Sequence, residues 1–130
     1  MIVIDASALV EILFATTRGR EVEQRVFGTG ETLHAPHLLD LEVTQVIRRY
    51  LRANYINQVR AQQVFEDLLG VKYKRYPPDV FLRRIWALRD NFTAYDATYI
   101  ALAEAIGATV VTCDAKMASG RAHNARVELV

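Results

Sequence analysis

Two short apolar runs each stop at an aspartate, and this repeated arrangement restricts the fold more than any other feature of the chain. Ile2, Val3 and Ile4 lead into Asp5; Thr109, Val110, Val111, Thr112 and Cys113 lead into Asp114. A segment that is apolar at consecutive positions, rather than at every second one, suits a strand buried on both faces. Such strands lie inside parallel sheets covered by helices, because each crossover between parallel strands needs a long connection.

The remaining patterns supply that connecting material. Further strands are expected at 32–35, at 71–75, where Val71 and Tyr73 alternate with Lys72 and Lys74, and at 126–129. Apolar residues at helical spacing mark helices at 7–14, 37–51 and 57–69. A shorter helix is expected at 21–27 before Gly28. Another should run from Pro77-Pro78 to about residue 91 with Phe81 and Trp86 in the core. An Ala-rich helix at 95–106 should stop at Gly107, and a brief one is expected at 115–119. Strands alternating with helices predict an α/β fold: a doubly wound parallel sheet of four to five strands with helices on both faces.

No Pro/Gly/Ser-rich stretch divides the 130 residues, so residues 1–130 are expected to form one domain. No signal-peptide pattern opens the chain, and no apolar run approaches the ~18 residues of a membrane span, which makes a cytoplasmic location the expectation. The single cysteine, Cys113, forms no internal disulfide and reads as a buried, inert thiol. The net charge of +1 is uninformative, but ten of the sixteen cations fall within residues 48–89, against only Glu66, Asp67 and Asp79. The middle of the chain is basic and its flanks are acidic.

Ligands of open parallel sheets bind beyond the carboxyl ends of the strands, where the strand order reverses. If the two aspartate-ended strands are neighbours, Asp5 and Asp114 project into one crevice. Glu42, about a turn into the helix after Ala35, and Asp96, in the first turn of the helix after Thr93, fall on the same rim. Two unit charges ~4 Å apart repel by roughly 4 kcal/mol at an effective dielectric of about 20. A cluster of four must therefore take up protons or a cation. Oxygen-only ligands suit Mg²⁺ or Mn²⁺, and such an ion can activate water for in-line attack at phosphorus. Each acid also has a structural reading. Asp5 and Asp114 could cap the helices that follow, Asp96 could close a capping box with Thr93, and Glu42 could be a solvated helix charge. Taken alone, the residues leave both readings open.

Three stretches, MIVIDASALV, APHLLDLEVTQVIRR and TAYDATYIALAEAIGATVVTCDAKMA, carry a family resemblance across nearly the whole chain. In order, spacing and surrounding residues they resemble the PIN-domain ribonucleases, and among these the small VapC-type toxins of bacterial toxin–antitoxin pairs. The resemblance implies a catalytic and metal-binding tetrad at Asp5, Glu42, Asp96 and Asp114, supported by Ser7 in the D-x-S pattern and Thr112 in the T-x-D pattern. It further implies dependence on Mg²⁺ or Mn²⁺, cleavage of RNA, a homodimer, and a small cognate antitoxin as partner.

Other readings compete. A Mg²⁺-dependent phosphatase-like enzyme usually carries D-x-D at its first strand, where this chain has Ser7, and a phospho-acceptor domain would not place acids on helices as Glu42 and Asp96 are placed. A catalytically inactive PIN-like module that binds RNA or protein is a further alternative. No Gly-rich phosphate loop is present. Among smaller signals, Asp40 reads as a surface charge, since residues two apart on a helix face different ways. His34 and His37 flank Pro36 without a second pair, so loop or surface positions are expected. His123 is expected to be solvated and Tyr95 to pack. Arg48, Arg49 and Lys74 are candidate RNA contacts, and Lys116 is a candidate for stabilising the transition state.

Overall fold

The computed structural model describes residues 1–130. Five strands form one sheet: β1 (Ile2–Ile4), β2 (Leu33–Pro36), β3 (Lys74–Tyr76), β4 (Thr109–Thr112) and β5 (Arg126–Leu129). All pairings are parallel and the order is β3-β2-β1-β4-β5. The chain moves outward from β1 to β3, then returns to the other side of β1 for β4 and β5. The order therefore reverses between β1 and β4, which pair Ile2 with Thr109, Val3 with Val110 and Ile4 with Val111. Both are buried almost throughout, as consecutive apolar residues require.

Helices α1 (Ala6–Leu13), α2 (Thr17–Phe27), α3 (Leu38–Arg52) and α4 (Gln58–Gly70) pack on one another beside the sheet. On the other side α6 (Ala94–Ile106) lies across β1, β2 and β4, backed by α5 (Leu82–Ala87). A short α7 (Ala115–Ser119) sits between β4 and β5. Helix α6 buries seven consecutive residues, Ala97 to Ala103, and their three alanines let it approach the strands closely. It ends at Gly107, whose φ of 66° is the left-handed cap that glycine accepts without a Cβ clash. Thirty buried apolar residues join into one core. No helix is long and apolar enough to cross a membrane.

Three expected elements differ. Helix α2 begins four residues early, because Thr16 caps it by accepting from the Gly19 amide. Gly19 faces the backbone of α1 so closely that a Cβ would lie 2.0 Å from the Glu11 carbonyl oxygen. Strand β3 pairs through Lys74–Tyr76 rather than 71–75, since its partners are His34, Ala35 and Pro36. The helix expected from Pro78 to 91 is broken into a 3₁₀ turn at Asp79–Phe81 and the six-residue α5. Ile85, Leu88 and Phe92 take the core face, Phe81 is only partly covered, and Trp86 points outward, 68% exposed under the guanidinium of Arg89.

Candidate active site

The crevice at the switch point is built from strand ends and helix starts. Asp5 follows β1 directly and caps α1, its Oδ1 accepting from the Ala8 amide at 2.9 Å. The Ser7 hydroxyl donates to the same oxygen at 2.8 Å, and the Thr112 hydroxyl donates to Oδ2 at 2.5 Å. Both hydroxyls also accept: Ser7 from the Cys113 amide, and Thr112 from the Asp114 amide, each at 2.9 Å. Each hydroxyl has one proton, already committed to Asp5, so the 3.2 Å approach of Ser7 to Thr112 is packing rather than a further bond. Asp5 is 3% exposed and accepts three donors. A carboxylate has about four lone-pair sites, so one direction remains open.

Asp114 lies two residues past β4 and caps α7, its Oδ1 accepting from the Lys116 amide at 2.8 Å. Asp96 stands in the first turn of α6, where its amide donates to Thr93, the helix cap. Glu42 is in the second turn of α3, and its Oε1 accepts from the Tyr99 phenol at 2.7 Å. The capping readings of Asp5 and Asp114 are therefore correct locally, whereas Asp96 closes no capping box: Thr93 is the cap, and only the Asp96 amide takes part. The two caps do not compete with the site, because capping is what holds these carboxylates on the rim.

Electrostatics tie the four acids together. Burial pushes the Asp5 carboxyl above its ordinary value, its three hydrogen bonds oppose this, and the charge of Asp114 adds to it. Burial also raises Glu42, against the Tyr99 hydrogen bond and helped by the charges of Asp96 and Asp5. Asp96 is raised by burial and then by Asp114, with Thr93 and Lys116 pulling the other way. The charges thus act around a closed circuit, from Asp5 to Asp114, to Asp96, to Glu42 and back to Asp5. As the side chains stand, no three His, Cys, Asp or Glu groups are close enough together to hold a metal ion. What the structure presents is a set of mutually repelling carboxylates whose oxygens are only partly committed to protein donors.

Other residues depart from expectation. Asp40 is not a free surface charge: it accepts from the Tyr73 hydroxyl and from two nitrogens of Arg75, at 2.7 and 3.1 Å, joining α3 to β3. His34 is buried within β2, its two nitrogens 2.8 Å from the hydroxyls of Thr32 and Tyr76. His123 is partly covered; Nε2 donates to the Gly120 carbonyl, the ring meets the Phe92 edge, and Nδ1 is buried without a partner. Cys113 is half-buried beyond β4 rather than within it, and Tyr95 is exposed rather than packed. Tyr99 is the site residue that sequence reasoning missed. The available signal was a phenol in an otherwise apolar helix, three residues after Asp96, where a buried hydroxyl demands a partner.

Comparison with known proteins bears on the family and the fold. A model of the PIN domain matches residues 2–121. Ribonuclease VapC12 of Mycobacterium tuberculosis is 39% identical over 130 residues, which is 100% of this chain and 99% of the relative. Ribonuclease VapC9 of the same organism is 34% identical over 117 residues, covering 90% and 88% of the two chains. Among solved structures, PAE2754 from Pyrobaculum aerophilum superposes with a TM-score of 0.70 at 22% identity, covering 97% of this chain and 81% of that one. A toxin–antitoxin complex from Klebsiella pneumoniae contains a chain with a TM-score of 0.67 at 18% identity, covering 92% and 91%. These two structures speak to the fold.

Proposed function

The chain belongs to the PIN-domain family and, within it, to the VapC-type ribonucleases, and on that premise we propose that it is a Mg²⁺- or Mn²⁺-dependent endoribonuclease acting as the toxin of a toxin–antitoxin pair. The observation that carries this reading is the placement of Asp5 and Asp114 at the ends of the two strands flanking the switch point, with Glu42 tied by the Tyr99 hydroxyl to the helix that carries Asp96. The donor set fits a hard divalent ion: every candidate ligand is a carboxylate oxygen. Asp5 keeps one lone-pair direction open, and Glu42 and Asp114 each leave one oxygen without a protein donor.

When bound, such an ion supplies an activated water at neutral pH and offsets the negative charge that develops at phosphorus. The chain's own residues arrange the rest. Ser7 and Thr112 fix the plane of the Asp5 carboxylate, and the cap bond from Lys116 fixes Asp114. The Lys116 ammonium acts on Asp96 and is exposed, so it is available to a phosphate oxygen of the substrate. His34 and His123 are engaged elsewhere in the fold, and no histidine is assigned as a base.

RNA is the proposed substrate. Of the basic residues in the middle of the chain, Arg75 and Arg84 are tied to Asp40 and Glu104. Arg48, Arg49 and Lys74 are exposed and outside any ion pair, Arg49 and Lys74 lying over the rings of Tyr50 and Tyr76, and are the candidate phosphate contacts. A small cognate antitoxin and a second copy of the chain complete the reading. Val80, Leu82 and Trp86, close in sequence on the 3₁₀ turn and α5, are exposed apolar side chains that a protein partner would cover. The test is expression of wild type and Asp5→Asn in cells, with mapping of RNA ends. New ends are expected with wild type and none with the variant; the same ends from both would overturn the assignment.

A further inference from the structure

We propose that Tyr99 is a positioning residue of this site, its phenol setting where the Glu42 carboxylate stands among the other acids. The inference rests on reading the cluster as a divalent-ion site. The four acids are not held alike. Asp5 is fixed by three donors and Asp114 by a cap bond to the backbone. Asp96 has a short side chain on the first turn of a well-capped helix. Glu42 has the longest side chain of the four and an extra torsion, and the Tyr99 bond at 2.7 Å is the one hydrogen bond its carboxylate accepts.

Tyr99 is suited to act as a strut. It is 1% exposed, so core packing rather than water fixes its ring. It lies three residues beyond Asp96, placing an acid and the support of another acid on neighbouring turns of α6. Its hydroxyl joins α6 to α3, across the edge of the sheet where the crevice opens. A phenol is protonated at neutral pH, so the Tyr99 hydroxyl is a donor and the carboxylate accepts. Donation to Oε1 leaves Oε2 unengaged and tethers the side chain to the helix that carries Asp96. Without the hydroxyl, Glu42 is released to swing toward solvent.

The experiment measures Mn²⁺ binding by electron paramagnetic resonance on chelator-stripped protein, alongside RNA cleavage. Tyr99→Phe removes one oxygen and keeps the ring, and its melting temperature is recorded to establish folding. Loss of a supporting partner of a metal ligand typically costs 10–100-fold in affinity or activity, so Mn²⁺ binding and kcat should fall by about tenfold or more while KM for RNA stays within roughly twofold. Glu42→Asp, which keeps the charge but withdraws it from the phenol, should show the same pattern. In a Glu42→Gln background Tyr99→Phe should have no further effect on Mn²⁺ affinity, because no carboxylate remains to be placed. A merely structural tyrosine would cost the same factor in both backgrounds, and that result, or Tyr99→Phe binding Mn²⁺ like wild type, would overturn the proposal. If wild type takes up no Mn²⁺ and cuts RNA in chelator, the metal-site reading fails together with this one.

Discussion

A nearly buried carboxylate at position 5 is tolerable because two hydroxyls and an amide converge on it. The other acids have fewer donors and rely on the solvent side of the crevice. Asp96 shows the consequence. Its pKa in the folded protein is raised, so folding takes up protons as pH climbs above the ordinary carboxylate value. The metal-free protein therefore loses stability through the window between the unfolded and the raised folded value, and the loss persists above it. Asp96→Asn cannot ionise. Its melting temperature without metal should match wild type at about pH 3 and exceed it at pH 7, while RNA cleavage is lost. A variant less stable than wild type at pH 7 would contradict this. At this scale the sequence showed Asp5 and Asp114 because each adjoins a strand end in the chain, while their supports Ser7 and Thr112 came from the family resemblance. Tyr99 and the partners of Asp40 were hidden. They meet their targets from 57 and 33 residues away, and no local pattern encodes such contacts.

Elements were legible where one period dominated. β1 and β4 are apolar runs, and α3, α4 and α6 have either a clear apolar stripe or a burial-ready composition with a glycine stop. The misread elements lack such a signal. The start of α2 is Thr17, Arg18, Gly19 and Arg20, polar residues whose helicity comes from the Thr16 cap and close packing on α1. β3 is set by its pairing with β2, and α5 by the turns that bury Leu88 and Phe92. Asp40 illustrates how an edge element is held. Burial opposes its ionisation, but the hydrogen bonds of Arg75 and Tyr73 outweigh it and its pKa is lowered. The clasp therefore contributes stability above the unfolded carboxylate value and loses it as pH falls through the lower folded value. Asp40→Ala should cost about 1–2 kcal/mol in urea unfolding at pH 7, allowing for partial exposure of the pair and an orphaned Tyr73 hydroxyl. The difference should shrink at about pH 3; a constant difference at both pH values would assign the loss to packing alone.

At the scale of the whole molecule, the strand order explains why acids from the first and last thirds of the chain reach one edge of the sheet. Reversal between β1 and β4 opens the crevice, parallel strands place their carboxyl ends on one edge, and α3 and α6 start at that edge. Local patterns indicated a parallel sheet, but not which strands are neighbours; the structure supplies that order. The most direct measurement is the rate of RNA cleavage by purified, chelator-stripped protein as Mg²⁺ or Mn²⁺ is added back, with Asp5→Asn alongside. The account predicts no cleavage without the ion, saturable recovery with it, and no recovery in the variant; cleavage that persists in chelator, or an Asp5→Asn protein that recovers fully, would contradict it.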